Sequence, residues 1–104
     1  LNKTLGAAFY ERLLALAPVI PGCKVAEIVV NRYSPGQGMP DHRDRTTYKH
    51  NFTIPVQATG DGVVIEDEFY PDEKGRAVVF HGIGPVHRVP PVKHKRYVLI
   101  YLYE

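Results

Sequence analysis

The stretch 95–103, KRYVLIYLY, constrains the fold more than any other part of the chain. Side chains along a strand alternate between two faces. This segment carries apolar groups on both of them. It is therefore expected in the middle of a sheet, with a layer covering each side. Arg96 falls in phase with Val98, Ile100 and Leu102 on one apolar face, and arginine is rarely buried without a partner. Two readings follow: a salt bridge or a strand end in water, or a guanidinium fork set for a ligand carboxylate.

The other elements must supply that cover. With 104 residues, the chain is expected to form a single domain, 1–104, with one core. Residues 4–17 read as a helix, with Leu5, Phe9, Leu13 and Leu16 as an apolar stripe, Thr4 as N-cap and Pro18 as its limit. After Pro21-Gly22 the texture turns to β. Residues 24–33 place Val25, Glu27, Val29, Asn31 and Tyr33 on one face. A turn at 34–38 leads to a strand or strand end bearing His42. Residues 51–57 put Phe52, Ile54 and Val56 on one face, with Pro55 suggesting an edge or bulge. A turn at 59–62, a short strand Val63–Ile65, an acidic aromatic loop (EDEFYPDEKG), a strand Ala77–Phe80 and a short strand Val86–Val89 complete the series. One helix and about seven strands predict a β-sandwich or barrel with the helix packed outside.

Composition excludes several classes. A net charge of +2 permits an anionic partner without requiring one. Cys23 is the single cysteine, so no intrachain disulfide forms and a reducing, intracellular location (cytoplasmic, or nuclear in a eukaryote) is expected. No apolar run is long enough to span a bilayer, and no signal-peptide pattern opens the chain. The sequence starts at Leu1 rather than Met, as an N-terminally truncated or processed chain would.

The candidate chemistry lies in Asn31–Asp44, NRYSPGQGMPDHRD. His42 and Asp44 are two apart, so on an extended strand both point to one side and could grip one metal ion. A further histidine would complete the two-histidine, one-carboxylate facial set of non-haem Fe(II) oxygenases. His87 is the preferred third ligand and His81 its competitor. His50 and His94 sit in polar or basic runs and read as surface residues. Asp41, adjacent to His42, would face away. Asn31 and Tyr33 share a strand face and read either as ordinary strand polarity or as hydrogen-bonding groups beside the metal. Arg43, Arg45, Lys49 and His50 flank the pair, and Arg88, Lys93 and Lys95 follow His87. These two basic clusters read as a solvated face or as attraction for an anionic substrate such as nucleic acid.

From Ile28 to Tyr103 the pattern resembles the Fe(II)/2-oxoglutarate-dependent dioxygenase superfamily. The resemblance rests on Asn31-x-Tyr33, Pro35-Gly36, His42-x-Asp44, a G-x-A-V-x-F strand from Gly75 to Phe80, then His87 and Arg96. It implies a mainly β, double-stranded β-helix (jelly-roll, cupin-like) fold, with Fe(II) held by His42, Asp44 and His87. It also implies that Arg96 holds the distal carboxylate of 2-oxoglutarate. O2 and 2-oxoglutarate would be consumed to hydroxylate a substrate C–H bond, releasing succinate and CO2. Around Asn31–Asp44 the chain is most similar to AlkB-like nucleic-acid demethylases, which implies a modified nucleobase as substrate and Asn31 and Tyr33 in contact with 2-oxoglutarate. That group closes with R-x-N-x-T-x-R, whereas here Val98 and Leu102 replace the Asn and the second Arg. His87–Val92 followed by Arg96-Tyr97 instead resembles prolyl-hydroxylase-type members, which implies a peptidyl or free amino-acid substrate. A third alternative is a non-catalytic β-barrel binding module.

Overall fold

A computed structural model of the chain describes residues 6–43, 48–81 and 84–104. They include one helix, α1 (Ala7–Ala15), followed by the strands β1 (Val25–Tyr33), β2 (Met39–His42), β3 (His50–Pro55), β4 (Gly62–Ile65), β5 (Glu68–Pro71), β6 (Val78–His81), β7 (His87–Val89) and β8 (Arg96–Tyr103). Two four-stranded sheets form, ordered β1-β8-β3-β6 and β2-β7-β4-β5. Every pairing is antiparallel. The chain crosses repeatedly from one sheet to the other, which is the winding of a jelly roll, or double-stranded β-helix. Among the described residues no helix is long and apolar enough to cross a membrane.

The two-faced strand occupies the position its pattern demands: β8 lies between β1 and β3. On its outer side Tyr101 and Tyr103 join Leu13 and Ile28 in a buried cluster beneath α1. Each large apolar side chain so buried contributes roughly 1.5–3 kcal/mol. The tyrosines also solve a polar problem, since a buried hydroxyl needs a partner. Tyr101 Oη donates to the Leu13 carbonyl at 2.6 Å and Tyr103 Oη to the Pro18 carbonyl at 2.5 Å, fixing the end of the helix to the sheet. On the inner side a second cluster, Tyr33, Val89, Val92 and Val98, packs between the sheets.

Four local expectations change. Thr4 and Leu5 lie outside the described residues, and α1 begins after Gly6, which makes no side-chain cap bond. Within α1, Phe9 is 51% exposed and Leu16 beyond it 76%. The helix instead turns Tyr10 and Leu13 inward, with Ala17 beyond its end on the same side, because the Tyr101 hydroxyl grips the Leu13 carbonyl and sets its rotation. Val25 leaves the face of Glu27, Val29, Asn31 and Tyr33, since the pairing with β8 slips between Val25 and Glu27, and Val25 joins the outer cluster. Pro55 marks neither an edge strand nor a bulge. It sits at the end of β3 beyond the last β6 partner, Thr53, so its missing N–H interrupts no ladder. The acidic loop contains β5, which closes a hairpin with β4 through Glu66 and Asp67, both at positive φ (47° and 68°) as a two-residue type I′ turn requires.

Candidate functional site

Between the sheets lies a cavity of about 680 Å³, reached by Asn31, Tyr33, His42, His87, Arg96 and Leu102. The inner faces of β1 and β8 form one wall. Val29, Asn31 and Tyr33 alternate along β1, and Arg96, Val98, Ile100 and Leu102 along β8. Tyr33 pairs directly with Arg96 and Asn31 with Val98.

The opposite wall carries the histidines. β2 approaches β7 closely at its start, where a Cβ on Gly38 would collide with the Val89 carbonyl. The ladder then places His42 directly opposite His87, with ring centroids 4.1 Å apart. The two rings are oriented alike: Nδ1 of His42 meets the Pro40 carbonyl at 2.9 Å, and Nδ1 of His87 meets the Pro85 carbonyl at 3.0 Å. A carbonyl only accepts, so each Nδ1 carries a proton, and in the neutral ring this leaves the lone pair on Nε2, the tautomer that binds a metal. The Phe80 ring packs on His87, centroids 4.6 Å apart, and limits its rotation. Asp44, the expected carboxylate ligand, lies outside the described residues, among which no three His, Cys, Asp or Glu side chains converge.

The remaining histidines stand elsewhere. His50 and His81 pair across β3 and β6, Nδ1 to Nδ1 at 2.8 Å. Their neighbours Asn51 and Phe80 line the cavity, so by strand alternation both imidazoles point to the other side of the sheet. That placement removes His81 as a cavity group. His94 is exposed, 3.7 Å from Asp61.

At the other end of the cavity Arg96 is 3% exposed. Its partner is Asp72, a residue of the acidic stretch, which accepts from Nε at 2.7 Å and from Nη2 at 3.0 Å. Breaking such a buried pair from one side costs on the order of 3–5 kcal/mol. Asp72 is itself held through its backbone N–H, which donates to the Asp61 carbonyl at 2.8 Å. The Asp61 carboxylate accepts the backbone N–H of Lys93 at 2.9 Å and of His94 at 3.1 Å, pinning the β7–β8 connection. Burial raises the Asp61 pKa, but these two N–H groups, the Thr59 hydroxyl and the His94 imidazole outweigh it and hold the carboxyl below its ordinary value. The residues that build this corner were hidden because Asp72 sits in an acidic run that reads as solvated loop. The available signal was Arg96 itself, whose burial demands a carboxylate.

Tyr33 completes the corner. The Arg96 guanidinium carbon lies 5.3 Å from its ring centroid. Burial pushes the Tyr33 hydroxyl up from 10.0, with Arg96 and Asn31 opposing and Asp72 adding to the rise. It therefore keeps its proton at neutral pH and can donate. Asn31 Oδ1 is buried with no partner among the described residues, an acceptor calling for a donor from the contents of the cavity. Two lone-pair imidazoles at one end, a buried guanidinium and a protonated phenol at the other, and an unsatisfied amide between them fit a metal ion together with a carboxylate ligand.

The basic clusters are partly committed. Arg43 lines the cavity and donates to the Gly84 carbonyl at 2.8 Å. Arg88 lies 3.6 Å from Asp41 and 3.7 Å from Asp67. Lys49, Lys93 and Lys95 are exposed, and Arg45 lies outside the described residues.

No protein-family model matches the sequence, and no curated protein matches it by sequence. Its structure is similar to an oxidoreductase of the 2OG-Fe(II) oxygenase family from Burkholderia pseudomallei, with a TM-score of 0.67 and 18% identity over 79% of this chain and 45% of that one. It is similar to an RmlC-like cupin protein from Desulfovibrio desulfuricans, with a TM-score of 0.56 and 18% identity over 77% of this chain and 78% of that one. A cupin domain from Bordetella pertussis Tohama I gives a TM-score of 0.59 and 11% identity over 82% and 92%. The chain thus spans 45% of the length of the oxygenase-family protein. At these identities the likeness establishes the fold, a cupin-like double-stranded β-helix.

Proposed function

We propose that this chain is an Fe(II)- and 2-oxoglutarate-dependent dioxygenase, with His42, Asp44 and His87 as metal ligands and Arg96, Tyr33 and Asn31 as the cosubstrate pocket. The observation that carries this reading is the His42–His87 pair, both rings fixed with Nε2 as the lone-pair nitrogen, in the same cavity as the buried Arg96. Bound there, Fe(II), 2-oxoglutarate and O2 would supply oxidative decarboxylation to succinate and CO2 coupled to hydroxylation of a substrate C–H bond. The chain's own residues bind, orient and exclude water. The Pro40 and Pro85 carbonyls hold the imidazoles in the ligating tautomer. The Arg96 guanidinium and the Tyr33 hydroxyl donate hydrogen bonds to the distal carboxylate. Asn31 Oδ1 takes a donor, such as a water enclosed with the ligand. Val29, Val63, Ile100 and Leu102 keep the wall between the two ends apolar, which strengthens the polar contacts inside.

For the substrate, the Asn31-x-Tyr33 stretch supports a modified nucleobase in nucleic acid. Leu102 supports the alternative of a peptidyl or free amino-acid side chain, because it presents an apolar surface to the cavity where an AlkB-like pattern has a second arginine. The test is anaerobic loading with Fe(II) and 2-oxoglutarate, followed by admission of air and measurement of succinate. Methylated oligonucleotides and proline-containing peptides serve as separate candidate substrates. Succinate above the metal-free control supports the enzyme, and the substrate that raises it identifies the class. Absence of both metal binding and succinate, coupled or uncoupled, leaves the binding module as the reading.

A further inference from the structure

The pairing of Arg96 with Asp72 bears on what the cavity can retain. A guanidinium has five N–H groups and two edges that can each meet a carboxylate with two parallel bonds. Asp72 occupies the side-on edge, Nε with Nη2. What remains are the two N–H groups of Nη1 and the second of Nη2, which include the end-on edge; Arg96 also shares a side-chain hydrogen bond with the Tyr33 hydroxyl, which lies beside the same ligand position. Arg96 lines the cavity while Asp72 does not, and with the side-on edge taken, the end-on edge is the one left for a ligand carboxylate. Asp72 cannot easily swing away. It is buried, and its own N–H is tied to Asp61, which is tied in turn to Lys93 and His94.

The arrangement orients the guanidinium and at the same time cancels its charge. A ligand carboxylate arriving at the end-on edge gains the two bonds but also meets a second carboxylate across the guanidinium. At an effective dielectric near 20, two like charges separated by such a group weaken binding by about tenfold or more. We propose that Asp72 is a specificity-determining residue. By neutralising Arg96 it keeps the carboxylate end too weak to hold a diacid alone, so that retention requires the 2-oxo acid group at the histidine end. This inference rests on the reading of the cavity as a 2-oxoglutarate site. Its consequence is selectivity for a chelating 2-oxo diacid over plain diacids such as glutarate or the succinate product.

The experiment measures ligand binding rather than turnover, on the full chain without metal, by calorimetry and thermal shift with glutarate and succinate. Asp72→Asn keeps the side-chain size and removes the charge. The variant is expected to be less stable than wild type without ligand, to bind glutarate at least about tenfold more tightly, and to gain a larger rise in Tm from it. Adding Arg96→Gln to Asp72→Asn should abolish the gain. Should the variant fold only when glutarate is present, the conclusion is the same, because the ligand then supplies the missing charge. Glutarate binding by Asp72→Asn that is equal to or weaker than wild type overturns the proposal, as does a variant that stays unfolded even at saturating glutarate. A separate arm titrates wild type with Mn(II) and 2-oxoglutarate without air. If wild type binds 2-oxoglutarate there but Asp72→Asn shows no gain, only the role of Asp72 fails. If no Arg96-dependent carboxylate binding occurs in any arm, the underlying reading fails with it.

Discussion

His42 and His87 face each other across the β2–β7 ladder, each with Nδ1 turned to the carbonyl two residues before it in the chain. This repeated local contact lets two short strands present two equivalent nitrogens to one space. Replacing either histidine by Ala is expected to lower Fe(II) or Mn(II) affinity by at least a hundredfold, measured by anaerobic calorimetry, whereas His81→Ala and His94→Ala should leave it unchanged. Loss of metal binding in His81→Ala with retention in His87→Ala would reverse the assignment.

The close start of that ladder gives a second prediction. Gly38 has no room for a Cβ against the Val89 carbonyl, and the atom it would strike is backbone. Gly38→Ala must therefore push β2 away from β7. Overpacking of this kind costs about 1–3 kcal/mol, and the displaced strand carries His42. A lower Tm together with weaker metal binding is expected. A variant with unchanged Tm and affinity would show that β2 moves without strain.

Much of this architecture was legible in the sequence because it follows from alternation. The two apolar faces of 95–103 required a central strand with cover on both sides, and β8 lies between β1 and β3 with α1 on one face and the second sheet on the other. The in-phase position of Arg96 likewise required a partner, and one is present. Its identity was not legible, because Asp72 is brought to it by the β4–β5 hairpin, and the sequence does not encode which of several acidic residues in a loop is buried. The orientation of the helix was ambiguous for a related reason. The sets Phe9–Leu13–Leu16 and Tyr10–Leu13–Ala17 share Leu13, and only the distant Tyr101 hydroxyl selects the second. By sequence Asp61 is one residue of a turn, whereas its carboxylate serves as acceptor for a connection some thirty residues later.

That carboxylate makes stability depend on pH in a defined direction. The folded pKa of Asp61 lies below the ordinary value of 3.8, so its contribution is fully present above that value and is lost as the pH falls through the lower folded value. Asp61→Asn keeps the size but loses the charged acceptor, and two charge-assisted bonds to N–H groups suggest a loss of about 2–4 kcal/mol at neutral pH. The difference between wild type and Asp61→Asn, followed by urea unfolding, should persist from pH 7 to about pH 5 and shrink below pH 4. A difference that grows as the pH falls below about 4 would contradict the sign.

The tyrosine that orients the helix can be tested apart from the cavity. Tyr101 Oη is buried and donates to the Leu13 carbonyl at 2.6 Å. Tyr101→Phe keeps the ring and its packing but leaves that carbonyl without the hydroxyl, which costs about 1–2 kcal/mol. Because Tyr101 lies on the outer face of β8 while the cavity residues Ile100 and Leu102 lie on the inner face, metal and carboxylate affinities should not change. The expected result is a lower midpoint in urea with an unchanged slope. Amide exchange should rise selectively over α1, where the helix is no longer fastened. Exchange that rises equally in β2 and β7 would instead mean that the helix supports the whole barrel, and would remove the separation between the two layers drawn from the clusters on either side of β8.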